Sequence, residues 1–185
     1  MSLYIGRYCL FMTLFGLLWC VLRQPWTRRN PRECCLMLFG MTLCALLCLV
    51  LRGTWTAPRM MLASAARRLQ TGEGIQMQPF HTIVRQIRYA SREEKLINLW
   101  GNILLFLPYG FFLPLLWRRY RHPLHLLLMC LLLPLAIEGS QLFIHRMTDV
   151  DDVLLNCLGG LLGGVVFALL HRLFPRFTQQ TLIRS

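Results

Sequence analysis

The chain has 185 residues, 56% of them hydrophobic, and a mean hydropathy of +0.49, with the apolar residues gathered in long runs. That pattern excludes an ordinary soluble domain and identifies an integral membrane protein. The net charge of +12 comes largely from arginines at the ends of those runs, so the partner it implies is a membrane surface rather than nucleic acid.

Five apolar spans follow in chain order: Leu3 to Leu22, Cys34 to Leu51, Leu96 to Trp117, Leu124 to Phe143, and Val153 to Leu170. Each is about 18 to 22 residues long, enough at ~1.5 Å per residue to cross a ~30 Å hydrocarbon core. The first has neither a basic n-region nor a small-x-small cleavage site after it, and reads as a mature helix. The expected fold is therefore all-α, a polytopic bundle of five membrane helices. Its eight cysteines contain no C-x-x-C pair and lie mostly within or at the mouths of spans. They read as small apolar filler rather than as a disulfide framework.

Short connections set the orientation. Arg23, Arg28, Arg29 and Arg32 follow the first span, Arg118, Arg119 and Arg121 follow the third, and Arg172, Arg176 and Arg184 follow the fifth. The positive-inside rule makes these regions cytoplasmic, with the N-terminus outside and the C-terminus inside. The long loop 52–95 opposes this, because it would lie outside while carrying Arg52, Arg59, Arg67, Arg68, Arg85, Arg88, Arg92 and Lys95; its length weakens its vote.

Within that loop, Ala57 to Leu69 reads as an interfacial helix ending in Arg67-Arg68 and stopped by Gly72 and Gly74. After Pro79-Phe80 a second helical stretch places Arg85, Arg88 and Arg92 at i, i+3 and i+7 on one face. Such a stripe either snorkels to lipid headgroups or holds an anionic ligand. The layout is thus an N-terminal transmembrane hairpin (1–52), an outward interfacial loop (53–77), a core of three spans (78–170) and a cytoplasmic tail (171–185).

The informative residues are the polar ones in the last three spans: Asn98 and Asn102, then Glu138 and Gln141, then Asp149, Asp151, Asp152 and Asn156. Amide or ionisable groups in hydrocarbon are costly and mark a site or an inter-helix bond. In the expected topology Asn102 lies ~9 Å and Glu138 ~8 Å below the outer surface at helical rise. Asn98 and Asn102 are i, i+4, Glu138 and Gln141 are i, i+3, and Asp149, Asp152 and Asn156 step by three and four. One outward-facing polar chamber accounts for all of them. Against this, Asp149, Asp151 and Asp152 suit the first turn of a helix, and Thr148 with Asp151 approximates a capping box. Glu138 lies mid-helix, four residues after Pro134, and needs a partner or a proton.

No zinc-type spacing, Ser-His-Asp order, phosphate loop or redox pair is visible, and no cofactor is expected. Glu138, His145, Asp149, Asp151 and Asp152 could supply oxygen or imidazole donors to Mg²⁺ or Ca²⁺, but no closed ligand spacing supports a metal. Gly159, Gly160, Gly163 and Gly164 form overlapping G-x-x-x-G pairs that allow close helix approach, within the chain or across a homodimer.

The run Asn98-Leu-Trp-Gly-Asn102-Ile-Leu-Leu-Phe106-Leu-Pro108-Tyr-Gly110 resembles the opening signature of the VanZ-like family. Ile137-Glu138-Gly-Ser-Gln141 is similar to that family's second half. So is Thr148-Asp149-Val-Asp151-Asp152-Val-Leu-Leu-Asn156-Cys-Leu-Gly159-Gly160, and Gln78-Pro79-Phe80 resembles its short preceding element. The resemblance covers about residues 78 to 170 and implies a multi-pass membrane protein associated with low-level resistance to teicoplanin-type lipoglycopeptides. It implies no chemistry. Two functions are then open. One is binding of an anionic lipid or lipid-linked cell-wall precursor, with Arg85, Arg88 and Arg92 on phosphate and Asn102, Glu138, Asp152 and Asn156 on sugar or peptide groups. The other is an intramembrane hydrolase or transferase acting on lipid headgroups, with Glu138 as general base and Asp152 as second acid or metal ligand. A scaffold whose polar residues only join helices is the third reading.

Overall fold

A computed structural model describes residues 2–23, 31–50, 58–144 and 146–182. The long helices are α1 (Ser2–Arg23), α2 (Pro31–Val50), α6 (Gly101–Leu116), α7 (Pro123–Gln141) and α8 (Val150–Leu173). Among the described residues, three stretches are long and apolar enough to cross a bilayer: Arg92–Leu116, Pro123–Gln141 and Val150–Leu173. Helices α1 and α2, with 22 and 20 residues, have the length for it. The fold is an all-α bundle, as expected.

At the centre, α8 lies between α6 and α7. Its glycines make this possible. Gly159 and Gly163 sit against the α6 backbone at Ile103 and Leu107, and a Cβ on either would overlap those carbonyl oxygens. On the facing helix Gly110 meets the carbonyl of Gly160 in the same way. Gly160 and Gly164 also admit Cys130 and Leu126 of α7. Backbones approach this closely only where side chains are absent. All four glycines of α8 are buried inside the chain.

Helix α2 covers the outer flank of α6. Phe39 packs among Tyr109, Phe112 and Trp117, with ring centroids 6.1, 6.2 and 5.3 Å away. Phe15 of α1 fills the notch at Gly40. The buried Glu33 at the start of α2 pairs with Arg23 at 3.5 Å, tying the hairpin ends together. These contacts bring the arginine-rich ends of the helices to one end of the bundle.

At that same end a 3₁₀ turn, Arg118–Arg121, joins α6 to α7. Arg121 donates to the carbonyls of Pro114 and Thr178 and lies over the Phe167 ring. Thr178 belongs to α9 (Pro175–Gln180) and contacts His171 Nδ1 through its hydroxyl at 2.6 Å. The tail is thereby docked beneath the bundle.

The opposite end carries the small elements. Helix α3 (Pro58–Thr71) is stopped by Gly72 and Gly74, both in the left-handed region at φ +71° and +69°. Strand β1 (Ile75–Gln76) pairs in parallel with β2 (Thr148–Asp149). Helix α4 (His81–Tyr89) and the short α5 (Arg92–Lys95) follow, and a π-turn, Leu96–Trp100, leads into α6. The stretch expected to be one helix carrying Arg85, Arg88 and Arg92 is two. It breaks at Ala90–Ser91, because Ser91 caps the next helix. The Ser91 hydroxyl accepts from Glu94 N at 3.2 Å, and the Glu94 carboxylate accepts from Ser91 N at 2.9 Å. This is a complete capping box.

Candidate functional site

The end of the bundle away from the arginine-rich turns encloses a cavity of about 750 Å³. Its wall is built by the start of α6, the end of α7, the start of α8 and one face of α4. Asn98, Asn102, Glu138, Gln141, Asp149, Asp152 and Asn156 all line it, together with Arg85 and Gln86. The helical spacings explain the convergence. Asn98 lies in the π-turn and Asn102 one turn on, so both amides enter from α6; such turns recur where a side chain must be re-aimed.

Glu138 and Gln141 are 4% and 5% exposed and form the deep wall with Asn156, also 5% exposed. Glu138 Oε2 accepts from the Asp149 N–H at 3.1 Å, and Asp152 Oδ1 accepts from Asn102 Nδ2 at 2.9 Å. These bonds lock the carboxylates between helices. Asn156 Oδ1 is buried and has no hydrogen-bond partner, and neither has Gln86 Oε1. Glu138, Asp149 and Asp152 are close enough to act on one another electrostatically, and Arg146 acts on Glu138 and Asp152 from the rim.

Asp151 is elsewhere. Fully buried, it turns away from the cavity and accepts from the backbone N–H of Phe80 (2.5 Å), Thr82 (2.7 Å) and Ile83 (3.0 Å). It is the N-terminal cap of α4, whose own capping position, Phe80, supplies no side-chain bond. Asp149 caps α8, accepting from Asp151 N at 2.9 Å, so the cap expected of Thr148 with Asp151 falls one residue later. Of the arginine stripe only Arg85 reaches the cavity; Arg88 and Arg92 are exposed beyond it. His145 lies outside the described residues. Among the described residues, no three His, Cys, Asp or Glu side chains converge as a metal-holding group.

Two arginines escaped the sequence reading. Arg146 lines the cavity mouth. Arg68, read as the polar end of an interfacial helix, is only 9% exposed. Its guanidinium donates to the carbonyls of Glu73, Gly74, Gln141, Leu142 and Arg146 at 2.6 to 3.4 Å. It closes the C-terminal end of α7, where carbonyls lack helical partners, and so fixes the segment that presents Arg146. Glycine at 74 leaves room for it, since a Cβ there would sit 2.7 Å from Arg68 Nη2.

These positions lie in the motif runs of the last three spans that resemble the VanZ-like family, and the match to a family extends further. The sequence model of the VanZ/LLP1 family matches residues 8–171. The chain belongs to the VanZ/LLP1 family. The match takes in most of α1 and all of α2 as well as the cavity, and so reaches beyond the residues 78 to 170 over which the motifs resemble the family. No curated protein and no solved structure matches the chain. With this family and its membrane-length apolar helices, the chain is a VanZ-like membrane protein.

Proposed function

We propose that this VanZ/LLP1 protein crosses the membrane five times with the cavity opening outward, and there binds the headgroup of an anionic lipid or lipid-linked cell-wall precursor. By occupying that lipid it alters how the cell surface meets lipid-tailed glycopeptides. The observation that carries the reading is the cavity of about 750 Å³ at the ends of α6, α7 and α8, where Glu138, Gln141 and Asn156 share the deep wall with Phe106 and Ile137 and Arg85 and Arg146 border the mouth. Its volume is that of a site for a sizeable small molecule. The Arg118–Arg121 turn and the basic ends of α1 and α8 lie toward the other end of the bundle, which by the positive-inside rule is cytoplasmic. In this reading Arg85 and Arg146 hold phosphate, while Asn102, Glu138, Asp152 and Asn156 hold the polar groups beyond it. Arg88 and Arg92 contribute only general attraction to the headgroup layer. The hydrolase alternative, with Glu138 as general base and Asp152 as second acid or metal ligand, gains no support from the family match.

The test is antibiotic susceptibility in a sensitive Gram-positive host, with variants at matched membrane abundance and teicoplanin compared with vancomycin, which has no lipid tail. Wild type is expected to protect selectively against teicoplanin, and Glu138→Gln, Asp152→Asn and Arg85→Glu to abolish protection, while Arg88→Glu retains it. Full protection by all three cavity variants would refute the site.

A further inference from the structure

Charge is segregated by depth inside the cavity. The carboxylate of Glu138 is in the deep wall, those of Asp149 and Asp152 are half-buried beside it, and the two arginines are exposed at the mouth. Three acids gathered in a membrane-embedded recess repel one another. Such a group calls for positive charge or added protons, and Arg146 answers Glu138 and Asp152 only from the exposed mouth. The second observation is independent of the acids. Asn156 Oδ1, 95% buried by residue exposure and lining the same wall, is an acceptor without a donor, and Gln86 Oε1 across the cavity is another. A buried acceptor left empty costs free energy, so it marks a place where a donor belongs. Carboxylates plus unfilled acceptors call for a group that is both cationic and rich in N–H.

We propose that the headgroup bound here carries a primary ammonium, which enters between Glu138, Asp152 and Asn156, while its phosphate remains at the mouth with Arg85 and Arg146. The ligand class is therefore an amine-bearing phospholipid, of which phosphoethanolamine is the simplest headgroup. This rests on the phosphate-binding part of the reading above and narrows its lipid from an anionic one to a zwitterionic one that carries phosphate and ammonium together. A divalent cation meets the charge requirement less well, because the described carboxylates do not converge as a metal-holding group. A trimethylammonium meets the charge but has no N–H to give Asn156 Oδ1. The lipid, rather than a soluble phosphate amine, is the source we assign. Leu104 and Trp100, 61% and 55% exposed, flank the cavity-lining Gly101 and Asn102 and offer an acyl chain an apolar path along α6.

The test is native mass spectrometry of the full-length protein in mild detergent, with phosphatidylethanolamine, phosphatidylcholine and phosphatidylglycerol presented at equal mole fraction. Phosphatidylethanolamine is expected to bind on the order of tenfold or more tightly than either competitor, the factor carried by one charge-assisted hydrogen bond. Glu138→Gln and Asp152→Asn should erase that preference, and Arg85→Glu should weaken all phospholipids together. The comparison of lipids on the wild type needs no variant to fold. Equal binding of phosphatidylglycerol and phosphatidylethanolamine, both lost with Arg85→Glu, would overturn the ammonium site and leave the phosphate reading standing. No binding of any phospholipid would overturn both. Soluble glycerophosphoethanolamine is expected to compete poorly; competition equal to that of the lipid would overturn the assignment to a lipid.

Discussion

Asp151 offers the sharpest test of how the cavity is assembled. Its carboxylate is fully buried and joins α8 to α4 through Phe80, Thr82 and Ile83. Replacing it with alanine removes the acceptor for all three N–H groups at once. A lost helix cap costs up to about 2 kcal/mol. Three bonds to a charged acceptor at ~1.5 kcal/mol each give ~5 kcal/mol. The lower figure applies if the freed amides of α4 regain water, the higher if they remain covered, so Asp151→Ala should destabilise the docking of α4 by about 2 to 5 kcal/mol. Asp151→Asn is milder. Its oxygen can still serve Thr82 and Ile83, as Oδ2 does now, while its NH₂ faces the Phe80 N–H.

Amide hydrogen exchange in detergent reads this directly. Protection at Thr82, Ile83 and Val84 should fall by ~30-fold or more in Asp151→Ala, the equivalent of ~2 kcal/mol, and by less in Asp151→Asn. The amides of α8 beyond its first turn should keep their protection, because its glycine contacts with α6 are untouched. Lipid binding should fall with the docking of α4, since Arg85 leaves the cavity with it. The reasoning is refuted if Asp151→Asn keeps full protection at residues 82–84 and still loses binding. Asp151 would then be a ligand contact.

Three further outcomes follow from packing. Gly110→Ala places a methyl on the Gly160 carbonyl and should abolish membrane accumulation, whereas Gly139→Ala, with nothing within 4 Å, should be tolerated; Western blots of membrane fractions decide this. Arg68→Lys keeps the charge but cannot reach five carbonyls with a compact ammonium, so the melting temperature should drop and limited proteolysis should open the chain between residues 72 and 76. Arg121→Ala should release α9 and expose Thr178, seen as new protease cleavage after residue 173, without changing phospholipid binding at the far end.

The bundle was legible because its signals are long-range averages. Apolar runs of span length, arginines at their ends and paired glycines each survive errors of a few residues. The segment between Pro58 and Trp100 was less legible because single local bonds decide it. Ser91-x-x-Glu94 is a capping signature written in the chain, and reading it would have split the arginine stripe, separating Arg92 from Arg85 and Arg88. Arg68 has no such signature. Its five acceptors include carbonyls 73 to 78 residues away in the chain, so nothing near it in sequence announces its burial.

The acidic run at the start of α8 shows where spacing suffices and where it does not. Asp149, Asp152 and Asn156 are separated by three and four residues and emerge on one face, the cavity's. Asp151 is one step off that series, about 100° around the helix. Its exclusion from the cavity was therefore readable from the spacing alone. What it would meet on the other face was not, because that depends on α4 returning across the bundle to offer three unpaired N–H groups. The same residue type thus serves its own helix at 149, a neighbouring helix at 151 and the cavity at 152. Each role follows from the direction in which the helix aims the side chain. A charge-conserving shift of register, Asp151→Val combined with Val150→Asp, should therefore undock α4 although the run keeps the same acids. If α4 stays docked in that double variant, charge near the start of α8 is sufficient, and the directional argument fails.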